Sequence, residues 1–302
     1  MARLGDGPRT LGLSPVWHSA MNSSMIFLLL GLAAHVCAYP IQNTSGINEE
    51  AHRFKRAFSE ELMSQDEMTA MDKIMETNEL RTALTLQGTS FREGDIAVTN
   101  KRRSENCFAR SCLWPKSVDG FVYVPYNMST EYNEIDRITI ESGMEEIANG
   151  TCIRFVPWTH QRNYLDIQPK SGCWSFLGVH GGAQMLSLQT PGCMWSGIAS
   201  HELMHALGFV HEQSRADRDK YITILWANIW KDRVNNFERY KTNNLDTPYD
   251  YSSIMHFGKY AYSEDGDPTI VPKPNPNIQI GQRFGPSAID KMKINKLYKC
   301  GM

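Results

Sequence analysis

The chain has 302 residues, 21% of them charged and 41% hydrophobic, with a formal net charge of −2. That length accommodates one sizeable domain plus processed segments. The near-neutral balance excludes a global electrostatic attraction to nucleic acid or to an anionic membrane.

Residues 26–34 form an apolar run, followed by the small-residue cleavage pattern Val36-Cys37-Ala38. The run is too short to cross a bilayer, so residues 1–38 are expected to be a signal peptide, with Met21 or Met25 as alternative starts. No later stretch is apolar enough to be a membrane anchor. Residues 39–103 are polar and acid-rich, with Leu and Met scattered at loose helical spacing over 49–80. They pass through Gly94-Asp95 and end in the basic cluster Lys101-Arg102-Arg103. This pattern reads as a propeptide removed by an activating protease that cuts near Arg103. Residues 104–302 are then the functional domain, expected to be a monomer.

Within that domain, residues 121–124 follow the turn pair Asp119-Gly120 and read as a strand. Over 132–148, Ile135, Ile138, Met144 and Ile147 lie close to one helical face, with Asn149-Gly150 as the stop. Residues 152–156, 164–168 and 184–189 read as strands, and about 196–207 as a helix. Residues 264–285, rich in Pro, Gly and Asn, promise little regular structure. A final helix begins at the cap-like Ser287-Ala-Ile-Asp290 and carries Ile289, Met292 and Leu297.

Of seven cysteines, Cys37 leaves with the signal peptide. Cys107, Cys112, Cys152, Cys173, Cys193 and Cys300 remain, an even number that suggests a disulfide framework in an exported chain. Spacing does not choose among the pairings. Asn43, Asn127 and Asn149 stand in Asn-x-Ser/Thr patterns, which permit glycosylation.

The chemistry concentrates in His201-Glu-Leu-Met-His205-Ala-Leu-Gly208-Phe-Val-His211. Four residues advance a helix by about 400°, so His201 and His205 project about 40° apart and can share one ion. Glu202 lies beside them as a candidate general base, taking a proton from metal-bound water and passing it to the leaving amine. A helix continued past Gly208 would carry His211 roughly 80° off that face. A glycine permits the left-handed exit that returns His211 as a third ligand. This donor set points to one Zn²⁺ per chain. Downstream, Tyr251-Ser-Ser-Ile-Met255-His-Phe is an apolar turn with a methionine, of the kind that lies beneath the three histidines of a metzincin.

Residues 197–219 resemble the signature of the astacin family of metzincin zinc proteases, with Glu212 after the third histidine and Arg215-x-Asp-Arg-Asp following. The resemblance covers about 105–300. The early pair Cys107 and Cys112 resembles the six-cysteine branch that includes fish hatching enzymes and nephrosin. The resemblance implies an α+β fold of two lobes around a cleft. A twisted, mostly parallel sheet and two long helices form the first lobe; the second is mostly irregular and ends in a helix. It implies the pairings Cys152–Cys300, Cys173–Cys193 and Cys107–Cys112. It implies that the strand near 184–189 is an edge that binds a protein substrate as an extended strand. It implies that the new N-terminus is buried near Glu212 after cleavage, and that Asp95 sits on the zinc before it. The expected product is a secreted, extracellular endopeptidase stored as a zymogen, for instance in granules, and acting on extracellular or egg-envelope proteins.

Two residues depart from the family pattern. Phe257 stands where many astacins have a tyrosine that assists the transition state; Tyr260 and Tyr262 follow nearby. Phe91 lies three residues before Gly94, where the family's pro-segment aromatic lies two before it. Phe257 motivates an alternative reading, a zinc-stabilised extracellular binding protein with weak or no turnover.

Overall fold

The computed structural model describes residues 69–79, 89–99, 112–282 and 284–301, all within the unit His52–Met302. Residues 1–38, Asn43, the basic cluster at 101–103 and Cys107 lie outside the described residues. In chain order the elements are α1 (Ala70–Glu79), β1 (Thr89–Arg92), β2 (Ile96–Thr99), β3 (Val122–Met128), α2 (Glu134–Ala148), β4 (Ile153–Pro157), β5 (Tyr164–Gln168), β6 (Cys173–Phe176), β7 (Ala183–Leu188), α3 (Ser196–Ala206), β8 (Ile222–Ile224), β9 (Ile270–Pro272) and α4 (Ala288–Tyr298). No helix among the described residues is long and apolar enough to cross a membrane.

Alternation of apolar and polar residues builds the main sheet. In β5, Leu165 and Ile167 are buried while their neighbours are half-buried, the period-2 pattern of a strand with one face on a core. The seven strands run in the order β1-β2-β6-β7-β5-β3-β4. β4, β3, β5 and β7 are mutually parallel, and β6 is antiparallel to β7. The hairpin β1–β2 extends the sheet by pairing β2 parallel to β6, Ile96 opposite Ser175. Val122, Val124, Ile153, Leu165, Ile167 and Leu186 are fully buried in one core with Ile140 and Ile147 of α2 and Ile198 and Leu203 of α3.

α2 starts in a capping box, Asn133 with Asp136. It crosses α3 at Gly143, where a Cβ would lie 2.7 Å from Ser196 O and 2.8 Å from Ala199 Cβ. Ser200 Oγ donates to Gly143 O at 3.0 Å across the same crossing. The chain after Gly208 is mostly 3₁₀ turns and irregular segments, with the two-stranded β8–β9 sheet and then α4. The fold is therefore α+β in two lobes. Cys152–Cys300 ties the start of β4 to the chain after α4, and Cys173–Cys193 ties β6 to the turn before α3.

Two readings from the sequence need correction. The strand at 184–189 is not an edge: β7 is hydrogen-bonded to β5 on one side and β6 on the other. The strand that receives an extended segment is β6, short and bounded by Gly172 and Gly178, which hid it among turns. On α2, Ile135 and Ile138 are 76% and 56% exposed; the buried stripe is Ile140, Gly143, Met144 and Ile147. On α4, Met292 is 43% exposed, and the buried positions are Asp290, Lys293, Ile294 and Tyr298. Residues 264–285 are largely irregular, as expected, apart from the short strand β9 at Ile270–Pro272.

Candidate metal centre and active site

α3 is buried from Gly197 through Ala206. It presents His201 and His205 one turn apart, with Glu202 fully buried on the same helix. The helix ends where Leu207 N closes on Leu203 O and Gly208 takes φ +100°, the left-handed region that a side chain disfavours. The chain then doubles back, so that Phe209 O reaches His205 and His211 returns to the helix.

The three imidazoles converge. His201 Nε2 lies 3.1 Å from His205 Nε2 and 3.2 Å from His211 Nε2. Each Nδ1 faces an acceptor and therefore carries the proton: His201 donates to Ile254 O at 2.9 Å, His205 to Phe209 O at 2.7 Å, and His211 to Glu93 Oε2. The lone pairs on Nε2 therefore point at one another. Three lone pairs this close repel unless a cation lies between them. Ligands at 2.0–2.1 Å from a tetrahedral zinc stand about 3.3 Å apart, close to the separations observed. The residues fit that ion.

The fourth corner is taken by Asp95. Its Oδ2 lies 3.0 Å from His201 Nε2 and 3.3 Å from His211 Nε2, and its Oδ1 lies 3.5 Å from His205 Nε2. Asp95, His201, His205 and His211 form one fully buried four-ligand group. Asp95 arrives at the tip of the β1–β2 hairpin, whose turn residues Glu93 and Gly94 have φ +51° and +93°. Asn78 of α1 pins that tip, donating to Gly94 O at 3.1 Å and Cys173 O at 2.7 Å and accepting from Cys173 N at 2.7 Å.

Charges of both signs meet at the centre. Burial pushes His201 down to about 4, keeping that imidazole neutral. Burial also pushes His211 down, but the carboxylates of Asp95 and Glu93 outweigh it and raise it to about 10. Burial would raise Asp95; His211 and His205, with the hydrogen bond from His201, instead hold it well below the usual carboxylate range. The two carboxylates thus call for positive charge at this point, which a divalent cation supplies with every Nε2 deprotonated.

The floor is the turn containing Met255. Ile254 O holds His201, Met255 O accepts from Glu212 N at 2.8 Å, and the Phe257 ring stands edge-on to His211 with centroids 4.7 Å apart. Glu212 is buried, accepting from Arg215 Nη1 at 3.1 Å and Asp250 N at 2.8 Å and pairing with Lys293 Nζ. Asn127 and Asn149 are both exposed. Cys112 is disulfide-bonded, but Cys107 is outside the described residues, so that pairing stays an expectation.

Sequence reading missed Glu93 and Asn78. Nothing in their spacing marks them, because their partners lie 118 and 95 residues away. Ile254 and Phe209 act through backbone carbonyls, which carry no sequence signal at all.

Comparison with known proteins gives this geometry a family. Residues 110–299 match the family model described as Astacin, a peptidase family. High choriolytic enzyme 2 of Oryzias latipes is 44% identical over 282 residues, covering 93% of this chain and 99% of that one. Embryonic protein UVS.2 of Xenopus laevis is 49% identical over 239 residues, 79% of this chain but 45% of that longer protein. The solved structure of high choriolytic enzyme 1, a hatching enzyme zinc-protease from the medaka fish, aligns with a TM-score of 0.63 at 50% identity. It covers 65% of this chain and 98% of that one. The chain therefore belongs to the astacin family of zinc metalloendopeptidases.

Proposed function

We propose that this astacin-family protease is a secreted endopeptidase made as a zymogen. Residues 1–38 serve as the signal peptide, 39–103 as the pro-segment and 104–302 as the active domain. The observation that carries the zymogen reading is the Asp95 carboxylate lying against the Nε2 atoms of all three histidines. A carboxylate is a competent zinc ligand, so it excludes water from the position where hydrolysis needs it.

His201, His205 and His211 would hold the metal. Zinc bound there acts as a Lewis acid toward water and the peptide carbonyl. Glu202 takes the proton from the attacking water and delivers it to the departing amine. Gly208 shapes the return of His211, and the Met255 turn holds His201 in its tautomer through Ile254 O. The pairing of β2 along β6 supports binding of substrate as an extended strand on that edge, by main-chain hydrogen bonds. The relatives include choriolytic and hatching enzymes, and we extend that class to this chain: its substrate is an extracellular, envelope-type protein. A cavity of ≈ 130 Å³ near Glu212 and Lys293, lined in part by Arg92, Glu93 and Val98, supports a place for the new N-terminus once the pro-segment leaves.

The test compares trypsin-activated wild type with Glu202→Ala on casein, each with its zinc content measured. Wild type is expected to cleave, and the variant to hold one zinc per chain and remain inert. Equal inertness of the two with zinc bound would overturn the enzyme reading and favour the zinc-stabilised binding protein that Phe257 suggests.

A further inference from the structure

Addition of water to a peptide carbonyl puts negative charge on its oxygen. A hydrogen-bond donor fixed at that place accelerates the step because it needs no reorganisation. The wall beside His211 offers none, since the side chain packed there is Phe257. Several nearby hydroxyls serve other places: Tyr240 bonds Glu93, Tyr249 donates to His256 Nε2 at 2.8 Å, and Tyr260 is 44% exposed.

Tyr262 is placed differently. Its hydroxyl oxygen lies 1.9 Å from the point a Cβ on Gly94 would occupy, and its Cζ 3.3 Å from it. The O–H therefore lies against the main chain of the residue just before Asp95, inside the cleft that the hairpin tip fills. Gly94 must lack a side chain for this approach, besides its φ of +93°. The ring is held on several sides. Phe257 and Phe237 meet it edge-on at 5.9 and 6.2 Å, and the Arg233 guanidinium stands 6.0 Å from its centroid. Trp230 N donates to Tyr262 O at 3.1 Å. The residue is 8% exposed and has φ +52°, a conformation an aromatic residue adopts only where its surroundings impose it.

We propose that Tyr262 is a catalytic residue of this peptidase. With the pro-segment gone, its O–H donates to the oxygen of the scissile carbonyl, in the space the main chain at Gly94 fills in the proenzyme. The phenol keeps its proton throughout. Water adds to the carbonyl carbon, Glu202 carries the water's proton to the nitrogen, and the C–N bond breaks to give a carboxylic acid and an amine. The inference rests on the peptidase reading above. It also accounts for how an active site with phenylalanine at position 257 retains a hydroxyl donor.

The test is steady-state hydrolysis of a quenched fluorescent peptide by trypsin-activated wild type, Tyr262→Phe and Tyr260→Phe. Tyr262→Phe is expected to lose about 100-fold in kcat, with KM changed by less than about twofold. Its Tm and zinc content should match wild type. A phosphinic peptide that mimics the tetrahedral state should lose affinity in the same proportion as kcat/KM. Tyr260→Phe should behave as wild type. An active wild type with Tyr262→Phe within about threefold of it in kcat overturns the assignment alone. A wild type that is inert after activation overturns both this assignment and the peptidase reading.

Discussion

Glu93 and Asp95 hold opposite edges of the same imidazole: Glu93 Oε2 accepts from Nδ1 of His211, and Asp95 Oδ2 lies 3.3 Å from its Nε2. Ser214 Oγ adds a hydrogen bond of 3.0 Å to Glu93 Oε2. Two residues apart on a hairpin tip, these carboxylates clamp the third histidine of the centre.

Glu93→Ala is therefore predicted to loosen the pro-segment. Removing a buried hydrogen bond to a charged group costs about 1.5–3 kcal/mol. In a protein of this size that lowers Tm by about 3–10 °C. On the proposed zymogen reading, residue 93 leaves with the pro-segment, so the loss should appear in the proenzyme by calorimetry and vanish in the trypsin-activated form. An equal loss in both forms would show that Glu93 stabilises the fold by another route.

Gly143→Ala tests how α3 is seated. Alanine gains about 1 kcal/mol of helix propensity over glycine. Its Cβ, however, would stand 2.7 Å from Ser196 O and 3.0 Å from Ser200 N, backbone atoms that no rotamer change can move. Overpacking of this kind costs about 1–3 kcal/mol, so net destabilisation is expected. Zinc should also be lost to chelator at lower concentrations, because the helix that shifts carries His201 and His205. A more stable variant with unchanged zinc retention would contradict this packing.

His256 makes acid stability measurable. It is fully buried, donates from Nδ1 to Phe257 O at 2.7 Å and accepts at Nε2 from the Tyr249 hydroxyl at 2.8 Å. Burial pushes it down from 6.5 to about 4. A folded value below the unfolded one means that its contribution is full above pH 6.5 and is lost as pH falls from 6.5 to about 4. The loss amounts to about 3 kcal/mol. His256→Gln keeps one donor and one acceptor but cannot titrate. Its Tm is expected to fall less than that of wild type across that pH window, and parallel curves would refute the assignment.

The metal centre was legible because the helical period places His201 and His205 together and a glycine must end the helix before His211. The strands at 153–157, 164–168 and 183–188 were legible from their β-rich runs. Strand β6 was not, since its four residues, close to Gly172 and Gly178, carry too little pattern. On α2, apolar residues on two faces made Ile135 and Ile138 look like core, when the tertiary contact falls on Gly143 and Met144. The partners of the histidines were hidden for a different reason. Two are backbone carbonyls, and Glu93 comes from a segment more than a hundred residues upstream. No spacing marked Tyr262, whose hydroxyl lies against Gly94 at the hairpin tip.

The central claim is that Asp95 is the contact that anchors the pro-segment on a complete zinc site and so keeps it silent. The direct measurement is peptide hydrolysis by purified, uncut Asp95→Ala proenzyme beside uncut wild type, with zinc content and intact N-termini verified. Wild type should be silent, and Asp95→Ala should cleave without any proteolytic processing while holding one zinc per chain. An uncut Asp95→Ala that holds its zinc and stays silent until trypsin acts would contradict the account.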